Sequence, residues 1–213
     1  MLETLTGVGL ATAAGLNAYI PLVLVGLLAR FTDLIELPGP WHWLENGWVL
    51  AFLIVLLAVE TVADKIPIVD HANDVVQTFV RPTAGGLAFG AASTSQTVTV
   101  SDPANFFSSH QWAPIAAGVL ISLLVHGMKA SARPVINLST AGLGAPVVST
   151  IEDIASFGFA LIAIVLPFLI IIMVAALFAF FIWAIRARRR RREAKAAAAR
   201  AAQAGYYSGY PPY

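Results

Sequence analysis

The residues that could do chemistry are ionisable groups set inside or beside apolar runs. Glu60 and Asp64 are four residues apart and so share one face of a helix. Lys65 follows, then Asp70, His71 and Asp74, and then Arg81 within an apolar stretch. A second set, His126, Lys129 and Arg133, is spaced by three and four, again on one helix face. A charged side chain at the centre of a bilayer costs about 3 kcal/mol on insertion scales, so such groups pair with one another or line a watery cavity. The acidic face of the first set is therefore expected to meet the basic face of the second. The candidate intramembrane polar site comprises Glu60, Asp64, Lys65, Arg81, His126, Lys129 and Arg133. Glu60 and His126, deepest in their runs, are the expected titrating or ligand-binding pair. The plainer alternative is that Asp64, Lys65, Lys129 and Arg133 end helices and snorkel to headgroup water.

Asp70, His71 and Asp74 offer carboxylate and imidazole ligands suited to a divalent cation. They match no established metal motif, and helix capping by Asp70 or Asn73 explains the same residues; the metal question stays open. Asn17 and Pro21 lie in mid-run, where they could open a helix and free carbonyls for a solute; an Asn hydrogen-bonded across helices is the alternative. Gly85, Gly86, Gly142 and Gly144 are candidate broken-helix or hinge positions, or sites of tight packing. No HExxH, GxSxG or Walker A sequence occurs, and the chain has no Cys. Catalysis has no positive support, and no cofactor is implied.

The elements that must position these groups are membrane helices. Of 213 residues, 58% are hydrophobic and 12% charged, too few charges for the polar shell of a soluble domain. Clear apolar runs cover 6–31, 48–63 and 154–185, with a moderate run at 113–128. The 70–93 and 134–150 segments are apolar but interrupted by Gly and Pro. Pro167 is expected to kink the last run. Residues 32–47 and 93–112 read as loops, the second with a short strand at 97–100. Trp41, Trp43, Trp48 and Trp112 mark interfaces. The fold is expected to be an all-α polytopic membrane helix bundle of five to six transmembrane or re-entrant segments. Helices opened by Trp48 and by Trp112 each end in charges, then Pro, then an interrupted segment, a pattern that admits a 3+3 inverted repeat and a central site.

Eight of the 13 Lys and Arg residues follow the last run, from Arg186 to Arg200. That bias predicts a multi-pass protein of the cell membrane with a cytoplasmic C-terminus. Residues 1–185 form the transmembrane domain. Residues 186–213 form a basic, Ala-rich and then Tyr/Gly/Pro-rich tail that is largely disordered, with the Ala stretch able to prolong the helix. The expected partners are the lipid bilayer, anionic lipid at the basic tail and, as an option, a second copy of the chain. Nucleic acid is a poor match for arginines this close to a membrane.

The stretch Glu60-Thr61-Val62-Ala63-Asp64-Lys65-Ile66-Pro67-Ile68-Val69-Asp70, followed by Phe79-Val80-Arg81-Pro82, resembles a bacterial membrane family known as domain of unknown function 4126. Ala13-Ala14-Gly15-Leu16-Asn17-Ala18 leading to Pro21 is similar to that family's opening helix. Members often carry a basic residue where Asn17 stands, which weakens a role for Asn17. The resemblance spans about residues 5–180. It implies a membrane fold and no particular activity. The expected function is a small transporter or channel with an intramembrane charged site. The alternatives are a non-transporting scaffold or accessory subunit, and a lipid-handling membrane protein.

Overall fold

The computed structural model describes residues 1–37, 39–93, 112–140 and 143–208. All regular structure among them is helical. The elements are α1 (Leu2–Leu16), α2 (Tyr19–Phe31), a 3-10 helix (Gly39–Glu45), α3 (Gly47–Ala63), α4 (Pro67–Ala92), α5 (Trp112–Ser139), α6 (Gly144–Val165) and α7 (Leu169–Ser208). α5, α6 and the 169–187 part of α7 are long and apolar enough to cross a membrane. The 3-10 helix and α3 make a fourth candidate, bent by 62°. The strand expected at 97–100 lies outside the described residues. The 32–47 loop contains the 3-10 helix, anchored by buried Trp41 and Leu44.

The unit Met1–Met173 is built around α1. Ala11, Ala13 and Ala14 are wholly buried, and α4, α5 and α6 all pack on this helix. The pairing fixes directions. Thr6 bonds the Ala163 carbonyl and Ser156 the Ala13 carbonyl, so α1 and α6 are antiparallel. Arg81 meets His126, and Gly90 faces Ile115, so α4 and α5 are antiparallel. Small residues make the approach close, as expected where packing drives association in lipid. A Cβ on Gly85 would strike the Ser122 Cβ and lie 2.8 Å from the Gly118 carbonyl.

The 6–31 run is not one crossing. Asn17 takes an extended conformation (φ −143°, ψ 125°) and ends α1. One cavity is lined by Leu2, Glu3 and Thr6 of α1 and also by Val25 of α2 and Leu34–Leu37 beyond it. α1 has 15 residues, roughly 22 Å of helix. A chain continuing straight on would carry Leu34 far from Leu2, so α2 folds back and the pair forms a helical hairpin with its tip at Asn17–Ala18. Hydropathy does not register such a reversal.

Three other segments differ from expectation. α4 runs unbroken through Arg81-Pro82 and Gly85-Gly86. α5 continues through Pro134 to Ser139, so 134–150 is the junction of α5 and α6 and not a crossing of its own. The 154–185 run is divided at Leu166, Pro167 and Phe168, because Pro cannot continue the α6 ladder. The shared pattern after Trp48 and Trp112 thus takes two forms, a helix ending at Ala63 and a helix passing through its proline.

The outer faces are apolar. Phe52, Ile54, Val55 and Val59 of α3, Leu120 and Leu124 of α5, and Ile151, Ile154 and Phe157 of α6 are exposed. Glu60, Asp64, Arg81, Lys129 and Arg133 are buried instead, the reverse of a water-soluble bundle. The second unit spans Val174–Tyr213. Its helix carries Phe180 edge-on to Phe181 at 5.8 Å and continues through the arginines to Ser208. It therefore enters the stretch from Gly205 onward expected to lack structure, carried by the strong helix formers at 194–204.

Candidate functional site

The hairpin tip, the end of α3 and the middles of α4, α5 and α6 converge on one layer of charge. α3 places Glu60 four residues before its cap, Asp64. α4 contributes Asp74, Gln77 and Arg81, and α5 contributes His126, Lys129 and Arg133 at helical spacing. α6 adds Glu152 and Asp153, eight and nine residues after its start at Gly144. At 1.5 Å per residue they lie roughly 12 Å along that spanning helix.

Asp64 is the hub. Its Oδ2 is 2.8 Å from Arg133 Nη2, 3.2 Å from Lys129 Nζ and 3.6 Å from Arg81 Nη2. Asn73 Nδ2 donates to its Oδ1 at 2.8 Å. Glu152 Oε2 accepts from Arg133 Nη2 at 2.7 Å and lies 3.1 Å from Lys129 Nζ. Arg81 Nη2 donates to Glu60 Oε1 at 2.8 Å. The Arg81 side chain is 0% exposed and that of Glu60 1%. Arg133 Nη1 makes a looser 3.9 Å contact with Asp74, and Lys65 sits 3.9 Å from Asp153. Five carboxylates (Glu60, Asp64, Asp74, Glu152, Asp153) thus face four cations (Lys65, Arg81, Lys129, Arg133), leaving one negative charge in excess over the described side chains.

The broken helix is tied into this layer. Lys129 Nζ donates to the Leu16 carbonyl at 2.9 Å, one of the acceptors left without a partner where α1 ends. Asn17 Oδ1 accepts from the backbone N–H of Tyr19 and Ile20 at 3.1 and 3.2 Å, starting α2. Asn17 Nδ2 donates to Asp153 at 2.9 Å. Asn17 therefore both opens the helix and bonds across helices, and the freed carbonyl is held by an ammonium. Pro21 sits in the first turn of α2, where its missing N–H costs nothing.

His126 is neutral in this arrangement. Arg81 has only donors, so the contact of Arg81 Nη1 with His126 Nδ1 at 3.2 Å requires a lone pair on Nδ1. The Thr78 hydroxyl donates to the Asp74 carbonyl, leaving its oxygen to accept from His126 Nε2–H at 3.1 Å. Ser122 Oγ donates to the Arg81 carbonyl at 2.7 Å.

The structure therefore brings Glu60, Asp64, Arg81, His126, Lys129 and Arg133 into one buried cluster, with Lys65 at its partly exposed edge. Glu60 and His126 meet through Arg81 between them. Gly85 and Gly86 lie inside α4 against α5, Gly144 opens α6, and Gly142 is outside the described residues. α4 begins at Pro67 behind Ile66, so neither Asp70 nor Asn73 is the N-cap. The side chains of Asp70 and His71 are outside the described residues. Among the described residues no group of three or more His, Asp or Glu is placed to hold a metal ion. Glu152, Asp153, Asn73, Gln77 and Tyr19 are the members that sequence reasoning missed.

A cavity of about 480 Å³ opens at the other end of the hairpin and reaches down α1 to Leu10. Seven residues of α1, roughly 10 Å, separate its floor from Asn17.

A family model for the domain of unknown function 4126 matches residues 4–187. The chain belongs to that family. The match takes in the hairpin, the charged layer and the start of the basic run, and leaves out the rest of the tail. No curated protein and no solved structure matches the chain.

Proposed function

We propose that this protein is a small transporter or channel-like protein that passes a polar solute or ion by way of the charged layer. The observation that carries this reading is the helical hairpin, whose tip ends two short helices inside the bundle and beside the charge cluster. Helix breaks at membrane depth occur where they are buried in protein or line a path, and paired half-helix ends are a recurrent form of solute site. The cavity supplies an approach from the hairpin's open end. Lys65 follows the end of α3, and Lys129 and Arg133 lie beside the hairpin tip, away from the cavity. The positive-inside rule therefore makes the hairpin-tip side cytoplasmic and the cavity side external.

The closed pairing of Asp64, Lys129, Arg133 and Glu152 favours a second reading, a non-transporting scaffold in which the ion pairs fix helix register. Cysteine accessibility separates the two, since the chain has no native Cys. Single Cys residues at 10, 17, 60 and 126 are tested in intact cells and inverted vesicles with a membrane-impermeant thiol reagent. Transport predicts labelling at 10 from the cavity side and at 17, 60 or 126 from at least one side. Labelling confined to position 10 in folded protein gives the scaffold reading.

A further inference from the structure

Three acceptor oxygens of the charged layer, on Glu60, Gln77 and Asp74, have no hydrogen-bond partner among the described residues, and that of Asp74 has Arg133 Nη1 3.9 Å away. Asp64 and Glu152 are surrounded by donors, whereas Glu60 Oε2 and Gln77 Oε1 have no hydrogen-bond partner among the described residues. Both side chains are almost wholly buried, Glu60 at 1% and Gln77 at 2% exposure. Gln77 lies one helical turn before Arg81, which holds Glu60, and Tyr19 at the start of α2 is near both. A carboxylate oxygen, an amide carbonyl and a phenol oxygen, contributed by α3, α4 and α2, thus gather beside the hairpin tip. Unpaired acceptors buried in a membrane are costly. With its carboxylates ionised, the same cluster carries one negative charge in excess over the described side chains.

We propose that the corner between Glu60, Gln77 and Tyr19 binds one monovalent positive charge, a proton or an alkali ion, that completes the cluster's charge balance. Two unpartnered acceptors call for a donor or a cation, and carboxylate and carbonyl oxygens suit hard cations. Arg81 Nε likewise has no hydrogen-bond partner among the described residues. An anion there would add to the negative excess, so charge balance decides for the cation. Arg81 and Asp64 face this corner from α4 and the end of α3, Tyr19 from α2, and His126 and Lys129 from α5. Tyr19 belongs to the α1–α2 hairpin, which thereby borders this corner.

This inference deepens the transport reading and rests on it for its meaning, but it is tested at equilibrium. Purified full-length protein is titrated with sodium chloride against choline chloride at constant ionic strength and pH 8, by calorimetry. Thermal stability is then measured in choline chloride between pH 5 and 8. For an alkali ion, one sodium binds per chain, and Glu60→Gln and Gln77→Leu each weaken it at least about tenfold. For a proton, sodium does not bind. Lowering the pH then stabilises the wild type more than Glu60→Gln, which already carries a neutral side chain at that position. If Glu60→Gln does not fold, Gln77→Leu, which leaves every charge in place, must still weaken the response. The proposal is overturned if neither sodium nor pH separates the wild type from these variants. Binding without the cysteine labelling described above would keep the cation site and remove transport; labelling without binding would do the opposite.

Discussion

Neutralising Asp64 is the sharpest test of how the layer is held together. Asp64→Asn is nearly isosteric and keeps an acceptor for Asn73. It removes the charge that lies 2.8, 3.2 and 3.6 Å from Arg133, Lys129 and Arg81. All four side chains are nearly buried, at 6% exposure or less. Removing one partner of a buried pair costs about 3–5 kcal/mol, because the remaining charges stay desolvated. At about 2–4 °C per kcal/mol for a chain of this size, the midpoint should fall by roughly 10 °C. The assay is thermal unfolding in lipid nanodiscs, followed by the fluorescence of the 5 Trp residues. Lys65→Met is the internal control. Its ion pair is 3.9 Å long with a side chain 37% exposed, so it should cost less than about 1 kcal/mol. A double-mutant cycle of Asp64→Asn with Arg133→Met should show a coupling of about 0.5–3 kcal/mol. If Asp64→Asn melts within about 2 °C of the wild type, the hub assignment is wrong.

Three further outcomes follow from the packing. Asn17→Ala removes the acceptor for two N–H groups and the bond to Asp153; it should cost about 1–2 kcal/mol, read as a lower midpoint in the same nanodiscs. Gly85→Leu should abolish the folded state or lower its midpoint by several degrees, because Ser122 and the Gly118 carbonyl occupy the space; gel filtration of the solubilised protein reports it. By contrast Gly158→Ala, with nothing within 4 Å of the added carbon, should leave the midpoint unchanged or raise it slightly.

Hydropathy and charge spacing made much of this architecture legible. An all-helical membrane bundle follows from apolar runs with few charges, and the two ionisable faces at 60–64 and 126–133 stand out because spacing of three and four is readable in one dimension. Chain reversals are not. The run at 6–31 is long enough to cross once, and only Asn17 and Pro21 hint that it turns back; the hairpin depends on Lys129 for the freed Leu16 carbonyl and on Asp153 for the Asn17 side chain, both more than a hundred residues away. Glu152 and Asp153 read as the rim of a run because the break at 166–168 is hidden within 154–185. Once α6 is seen to end at Val165, the same two acids lie well inside a spanning helix. Gln77 and Tyr19 carry no charge pattern at all, and only the convergence of α2, α3 and α4 gives them a place beside Glu60.

The most direct test of the central claim is ion flux through the reconstituted protein. Wild-type chain and the Glu60→Gln variant are placed in sealed liposomes, and sodium uptake and the decay of an imposed pH gradient are followed against empty liposomes. The account predicts that the wild type moves one of the two ions faster than empty liposomes and that Glu60→Gln removes most of the difference. Flux equal to that of empty liposomes for both ions, from folded wild-type protein, would contradict it.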